Sequence, residues 1–122
     1  MPIDKKILIV DDCGTTRKLL SYIIRERGYK IIGASNGIEA LEVMASNPVD
    51  LVVTDLNMPQ MDGFELSRSL RGQPEYRELP IIMITTESGE NDRRMGMEAG
   101  VNTYLSKPIT PQRLLYEIEK LI

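Results

Sequence analysis

The stretch Ile7-Leu8-Ile9-Val10-Asp11-Asp12 decides the fold. Four consecutive apolar residues, followed at once by two carboxylates, are typical of a strand that is covered on both faces, as in a parallel sheet. Comparable apolar runs recur along the chain at Ile31-Ile32, Leu51-Val52-Val53, Ile81–Ile84 and, more weakly, Val101–Leu105. The sequence therefore predicts five strands, with the first, third and fourth buried on both sides.

Segments with helical periodicity fill the gaps between these runs. Paired apolar residues four positions apart in Thr15–Arg27 predict a helix that ends before Gly28. The other predicted helices are Gly37–Ser46 capped by Asn36, a helix capped by Asp62, Glu90–Ala99 ended by Gly100, and Pro111–Leu121. Regular alternation of strands and helices indicates an α/β fold in which a parallel sheet has helices on both faces.

The composition excludes several classes of protein. The chain has 122 residues, one cysteine and no histidine. One domain over residues 1–122 is expected, without an intrachain disulfide, a Cys/His zinc site or histidine acid–base catalysis. The net charge of −3 argues against nucleic-acid binding by this domain. No apolar run approaches the roughly 18–20 residues that span a membrane. The segment Met1–Lys6 lacks a signal-peptide core, so we expect a cytoplasmic protein without membrane contact.

Polar side chains follow the predicted strands at the edge where open α/β sheets bind their ligands. Asp11 and Asp12 follow the first strand, Asp55 ends the third and Thr85 ends the fourth. Lys107 comes after the fifth strand. Because the carboxyl ends of parallel strands share one edge of the sheet, we expect these side chains to converge.

This set of side chains is suited to phosphoryl transfer. Carboxylates about 4 Å apart repel by roughly 4 kcal/mol per pair at an effective dielectric of 20, and a divalent cation removes that penalty. Oxygen ligands without His or Cys favour Mg²⁺, with Mn²⁺ as an alternative. Lys107 and Thr85 would bind an anion beside the metal. With no histidine in the chain, a carboxylate is the expected nucleophile.

The chain resembles a response-regulator receiver domain, most of all the single-domain chemotaxis (CheY-like) type, over essentially its whole length. The segments that carry the resemblance are Ile7–Asp12, Asp55–Gly63, Ile82–Thr85 and Tyr104–Pro108. The resemblance implies a flavodoxin-like, doubly wound sheet of five parallel strands in the order 2-1-3-4-5 with five helices. It also implies a function in two-component signalling, in which a histidine kinase donates a phosphoryl group and the domain catalyses its own phosphorylation and dephosphorylation without being a metabolic enzyme.

The resemblance assigns a role to each site residue. Asp55 would accept the phosphoryl group, while Asp12, Asp55 and the backbone carbonyl of Asn57 hold Mg²⁺ and Asp11 acts largely through water. Thr85 and Lys107 would bind the phosphoryl oxygens, and a cis Lys107–Pro108 bond is implied. Thr85 and Tyr104 would form the switch, with Tyr104 turning inward when Thr85 moves. Asn57 and Glu87 would tune dephosphorylation and give a short-lived phosphoryl form.

The predicted partner-binding surface is the face formed by the fourth helix, the fifth strand and the fifth helix. Arg93 and Arg94 stand in the fourth helix where the chemotaxis type tends to be apolar, which indicates an acidic downstream partner. Gly96 lies inside the same helix and is expected to weaken it. A monomer is expected before phosphorylation.

Two alternatives stay open at the level of sequence. The first is a flavodoxin-like cofactor-binding or electron-transfer protein, since the same sheet can hold FMN. Two observations weigh against it. The loop after the first strand has the acidic pair Asp11-Asp12, where the phosphate of FMN would need hydrogen-bond donors, and the chain has no tryptophan to stack on a flavin. The second is a degenerate receiver that is never phosphorylated, against which the intact acidic set weighs.

Overall fold

The computed structural model describes residues 3–122. Met1 and Pro2, which belong to the predicted domain and to the expectation about a signal peptide, lie outside the described residues. One sheet contains five parallel strands in the order β2-β1-β3-β4-β5, as predicted. The strands are β1 Lys6–Val10, β2 Lys30–Ala34, β3 Leu51–Thr54, β4 Ile81–Thr85 and β5 Thr103–Ser106.

The helices agree with the predicted bounds to within about one residue at each end. They are α1 Gly14–Glu26, α2 Gly37–Ser46, α3 Gly63–Arg71, α4 Glu90–Glu98 and α5 Pro111–Leu121, with a short 3₁₀ turn at Pro74–Tyr76. The described helices include none that is long and apolar enough to cross a membrane.

Side-chain caps explain why α2, α3 and α5 begin where they do. Asn36 accepts the Glu39 backbone N–H at 2.8 Å, and Thr110 caps α5 in the same way. Asp62 and Glu65 form a reciprocal capping box at α3. Such bonds satisfy amides that have no partner in the first helical turn, so they fix each start locally.

Two apolar layers hold the helices on the sheet. One layer packs α2 and α3 against side chains such as Leu8 and Val52, and the other packs α1 and α5 against side chains such as Ile7 and Ile9. Residues 7–9 have no exposed area, which explains their continuously apolar sequence.

Arg71, the last residue of α3, joins three segments on one side of the molecule. Its Nε donates to the Gly100 carbonyl at 3.0 Å, its Nη1 to the Tyr76 carbonyl at 2.8 Å and its Nη2 to Asn102 Oδ1 at 2.9 Å. The same Asn102 oxygen accepts the Ile81 backbone N–H. The chain between α4 and β5 is thereby fixed to the sheet.

Candidate functional site

The side chains predicted to bind the metal ion and the phosphoryl group lie at the carboxyl edge of the sheet. Asp11 and Asp12 directly follow β1, and Thr85 is the last residue of β4. Asp55 directly follows β3, which ends one residue earlier than predicted, and Lys107 directly follows β5. Asp55 therefore lies beside the point where the strand order reverses between β1 and β3.

Three carboxylates and one ammonium form what we call the acidic pocket: Asp11, Asp12, Asp55 and Lys107. One carboxylate oxygen from each aspartate lies within 4.8 Å of the others. Lys107 Nζ lies 3.6 Å from Asp11 Oδ2 and 3.5 Å from Asp55 Oδ1. A single ammonium does not balance three carboxylates, so the pocket fits a hard divalent cation bound by oxygen.

Backbone amides orient two of these carboxylates. The Leu56 N–H donates to Asp55 Oδ1 at 2.8 Å, and the Cys13 N–H donates to Asp11 Oδ1 at 2.9 Å. Burial raises the pKa of Asp55; Lys107 opposes this shift, and Asp11 adds to it. The other Asp55 oxygen, Oδ2, is left for a ligand.

The loop that carries Asp55 closes tightly against α3 at Gly63. A Cβ atom on Gly63 would lie 2.5 Å from the Asp55 carbonyl oxygen and 3.0 Å from Leu56 Cα. The Gly63 N–H donates to the Leu56 carbonyl at 2.8 Å. Gln60, three residues before Gly63 in the same loop, has a φ of 71°, in the left-handed region that favours glycine or asparagine. Sequence reasoning had not identified the close approach at Gly63.

Arg17 is a second residue that the sequence did not single out. Its Nη1 donates to the Asp11 backbone carbonyl at 2.6 Å, and its aliphatic stem runs over Gly33 of β2. The guanidinium thereby helps to fix the loop after β1. A cation six residues after the aspartate carries no distinctive signal in a single sequence.

Thr85, Glu87 and Tyr104 are connected by hydrogen bonds. Thr85 is fully buried, and its Oγ1 accepts the Glu87 backbone N–H at 3.1 Å. The Tyr104 hydroxyl donates to the Glu87 carbonyl. Burial raises the pKa of Tyr104, helped by Asp92 and Glu87 and opposed by Arg93, so the hydroxyl stays a donor.

Tyr104 lies further inside the protein than its sequence suggested. The prediction had the ring turning inward once Thr85 moved, but here the side chain already lies inside, with the residue only 3% exposed. Gly96 of α4 makes room, because a Cβ atom there would lie 2.8 Å from Tyr104 Cδ2. Gly96 thus has a packing role in addition to its expected cost to the helix.

The remaining predicted positions lie on the loops that follow β3, β4 and β5. Asn57 and Glu87 are exposed on the loops after β3 and β4. The Lys107–Pro108 peptide bond is cis, as the resemblance implied.

Residues 7–119 match the response regulator receiver domain. The chain belongs to this family. The Campylobacter jejuni chemotaxis protein CheY homolog is 38% identical over 119 residues, which cover 96% of this chain and 92% of that protein. The structure of Vibrio cholerae CheY4 gives a TM-score of 0.92 at 33% identity, covering 98% of this chain and all of that one. A Pseudomonas aeruginosa sensor histidine kinase has a receiver domain with a magnesium ion in its active-site cleft; its TM-score is 0.89 at 28% identity, with 98% of both chains covered.

Family membership decides between the functions that the sequence left open. Receiver domains are phosphoacceptors of two-component systems, take phosphoryl groups from histidine kinases and signal to downstream targets. The flavodoxin-like electron-transfer alternative is therefore wrong. The receiver domain's acidic edge agrees with this outcome, because carboxylates would repel the phosphate of a flavin nucleotide.

Proposed function

We propose that Asp55 is the phosphoacceptor of this receiver domain. Asp55 Oδ1 accepts the Leu56 N–H, so Oδ2 would attack phosphorus. A new P–O bond to Asp55 forms while the bond between phosphorus and the donor breaks. The donor leaves as a neutral imidazole or, with acetyl phosphate, as acetate. The single observation that carries the proposal is the convergence of Asp55 with two further aspartates and Lys107.

Mg²⁺ is the cation proposed for the acidic pocket, with Mn²⁺ as the alternative that the same oxygen ligands accept. Asp12, Asp55 and the Asn57 carbonyl would hold it directly, and Asp11 would act largely through water. Bound there, the ion would neutralise charge that develops on the phosphoryl oxygens. Asp11 has one oxygen bonded to the Cys13 N–H and the other near Lys107, which supports its indirect role.

Lys107 and Thr85 are proposed to bind the transferred phosphoryl group. The Lys107 ammonium is already 3.5 Å from Asp55 Oδ1, so it can follow the charge from the carboxylate to a phosphoryl oxygen. Thr85 Oγ1 accepts a bond from Glu87, which leaves its hydroxyl proton free to be donated. Both groups supply electrostatic stabilisation without transferring a proton.

Self-catalysed loss of the phosphoryl group is proposed to depend on Asn57 and Glu87. Both side chains are exposed and polar, so each can orient an attacking water. We expect a phosphoryl lifetime of seconds to minutes. A phosphoprotein that survives overnight dialysis with Mg²⁺ would contradict this expectation.

The output of the domain is proposed to be the face of α4, β5 and α5, with Thr85 and Tyr104 as the switch. Tyr104 bonds to the Glu87 carbonyl and Glu87 to Thr85, so movement of Thr85 toward a phosphoryl group would disturb Tyr104 and α4. This is a population shift between two arrangements of one surface. The unphosphorylated chain is proposed to be a monomer.

The decisive experiment is incubation with acetyl phosphate and Mg²⁺ followed by intact mass. Wild-type protein should gain one phosphoryl group, and neutral hydroxylamine should remove it, as expected for an acyl phosphate. Asp55→Asn should gain none, whereas the matched control Asp4→Asn, at an exposed aspartate far from the pocket, should behave as wild type. A thermal melt shows that each variant is folded. Absence of phosphorylation in folded wild-type protein would favour the degenerate receiver.

A further inference from the structure

A groove of about 780 Å³ lies at the amino edge of the sheet, between the chain that leads into β3 and the chain that leads into β4. We call it the amino-edge groove. Its lining comes from two stretches of chain, residues 44–50 and residues 74–79. Asp50 directly precedes β3, and about 16 Å of extended strand separates it from Asp55. The groove therefore lies at the opposite end of the strands from the acidic pocket.

The apolar part of the groove is held in place by Tyr76. Val49, Tyr76 and Leu79 are half-buried and pack against the core. The Tyr76 hydroxyl donates to the Met44 carbonyl at 3.3 Å, which joins the two stretches of the lining. The Tyr76 carbonyl accepts a hydrogen bond from Arg71 Nη1 at 2.8 Å. Tyr76 is thus fixed at both ends, so the groove is formed before any ligand arrives.

Every charged side chain that lines the groove is a carboxylate: Asp50 on one stretch, and Glu75 and Glu78 on the other. All three are exposed, and none is in an ion pair with a described residue. Burial lowers the pKa of Arg71 and Glu78 opposes that shift, but the Arg71 guanidinium donates its hydrogen bonds to other groups. Both walls therefore carry negative charge that attracts a cationic partner.

The three carboxylates of the groove do not converge on one point. In the part of the chain that the structure describes, only the acidic pocket brings three such ligand atoms within 4.8 Å of one another. A single divalent ion does not fit the groove, because it needs several oxygen ligands at once. A nucleic acid would be repelled, since its phosphates carry the same charge. Cations spaced along a chain fit best, because each can meet one carboxylate.

We propose that the amino-edge groove binds a short basic segment of a partner protein, in which an apolar side chain has Lys or Arg on both sides. The apolar side chain would cover Val49 and Leu79. The flanking cations would meet Asp50 on one wall and Glu78 on the other. The inference goes beyond the proposed function and does not rest on it, because neither Asp55 nor any residue of α4, β5 or α5 lines the groove. A partner bound here leaves both the acidic pocket and that face free.

The test measures fluorescence anisotropy with the full chain, Mg²⁺ and three labelled octapeptides. One peptide alternates Lys with Leu, the second alternates Gln with Leu, and the third alternates Lys with Ser. The Lys–Leu peptide should bind at least about tenfold more tightly than either of the others, because only this peptide supplies both charge and apolar surface. Its affinity should fall as salt is added, since the carboxylates of the groove are exposed.

Two variants at exposed positions test the walls of the groove. Asp50→Asn and Glu78→Gln should each weaken binding of the Lys–Leu peptide by about two- to fivefold. The matched control Glu26→Gln, at an exposed glutamate on α1, should leave the affinity unchanged. A thermal melt shows that each variant is folded. In NMR spectra of the wild type, the backbone amide shifts that the peptide causes should be largest at residues 45–50 and 74–79.

Several outcomes would overturn the proposal. Equal binding of the Lys–Leu and Gln–Leu peptides would mean that the carboxylates are not used, and equal binding of the Lys–Leu and Lys–Ser peptides would mean that charge alone is recognised. An equal loss in Glu26→Gln and Glu78→Gln would mean that no particular surface is selected. Amide shifts centred on Asp55 would place the peptide in the acidic pocket. A dimer that sediments without peptide and dissociates in Glu78→Gln would identify a second copy of this chain as the occupant.

Discussion

The acidic pocket and the face formed by α4, β5 and α5 have opposite arrangements of charge. In the pocket, one ammonium, Lys107, stands among three carboxylates. On the face of α4, β5 and α5, one carboxylate, Glu117, shares the surface with three cations, Arg93, Arg113 and Lys120. Each place has too few counter-charges of its own, so each attracts charge of the opposite sign.

The two places also differ in how rigidly the backbone holds them. Gly63 lets α3 approach the backbone of the Asp55 loop, whereas Gly96 lets a side chain, Tyr104, pack on α4. A backbone atom has no alternative position nearby, while an aromatic ring can rotate away. We therefore describe the acidic pocket as a fixed template, and the face of α4 that contacts Tyr104 as an adjustable surface.

The largest expected effect is that of Gly63→Ala. The new methyl group would lie 2.5 Å from the Asp55 carbonyl, so the acceptor loop must move. We expect a loss of about 3 kcal/mol in the free energy of unfolding, measured by urea denaturation, at the upper end of overpacking effects. Phosphorylation by acetyl phosphate should fall as well. An unfolding free energy within about 0.5 kcal/mol of wild type would contradict the fixed template.

The second prediction concerns the metal. Millimolar Mg²⁺ should raise the thermal midpoint, because it binds the native state. At a concentration 100 times its dissociation constant, it should add about 2.7 kcal/mol to the free energy of unfolding. Asp12→Ala should abolish the response and relieve repulsion in the metal-free protein. Sodium chloride at matched ionic strength is the control. An equal rise in wild type and Asp12→Ala would show that the acidic pocket is not the site.

The third prediction contrasts the pH dependence of Asp55 and Glu117 without metal. Burial raises the pKa of Asp55 above its ordinary 3.8, so ionisation costs stability as pH rises through the folded value. Asp55→Asn should therefore stabilise the protein at neutral pH by about 1 kcal/mol, with the gain vanishing at acid pH.

Glu117 should show the opposite dependence. Burial alone would raise the pKa of Glu117, but Lys120 and Arg113 outweigh it and hold the pKa below its ordinary 4.5. The stabilisation that ionised Glu117 gives the folded protein is then fully present above pH 4.5, and it is lost as the pH falls through the pKa of Glu117 in the folded state. Glu117→Gln should cost about 1 kcal/mol at neutral pH and less in acid, by urea denaturation. If Asp55→Asn and Glu117→Gln changed the free energy of unfolding at neutral pH in the same direction, the predicted contrast between the two carboxylates would be wrong.

The smallest expected effect on stability is that of Gly96→Ala. Alanine gains about 1 kcal/mol of helix propensity over glycine, which offsets the disturbance of the Tyr104 ring. Stability should change by less than about 1 kcal/mol, while Tyr104 becomes accessible to nitration, read by peptide mass mapping. Glu98→Ala, on the same helix, is the matched control. A buried Tyr104 in folded Gly96→Ala would contradict the adjustable surface.

Features set by local chemistry could be predicted from the sequence. The helix starts predicted from Asn36, Asp62 and Pro111 are confirmed. A capping bond joins residues only three positions apart, and proline is favoured in the first turn of a helix. The convergence of Asp11, Asp12, Asp55 and Lys107 was predicted from the parallel sheet, since parallel strands share one carboxyl edge.

Features set by distant contacts could not be predicted. β5 was predicted from Val101, but Asn102 bonds to Ile81 through both its backbone and its side chain, and the strand begins at Thr103. Glu117 is only 3% exposed, although the sequence of α5 marks it as a polar position. The inward Tyr104 depends on a glycine eight residues earlier in another element.

Arg71 gives α4 a fulcrum. Its bonds to Gly100 and Asn102 anchor the carboxyl-terminal end of the helix, while Gly89 at the other end offers no side-chain cap. The nine residues of α4 are then a lever arm about 13 Å long. A rotation of about ten degrees at the anchored end would carry Glu90 through about 2 Å. If Thr85 moves as proposed, such a lever would convert a small change near Thr85 into a displacement that a partner can detect.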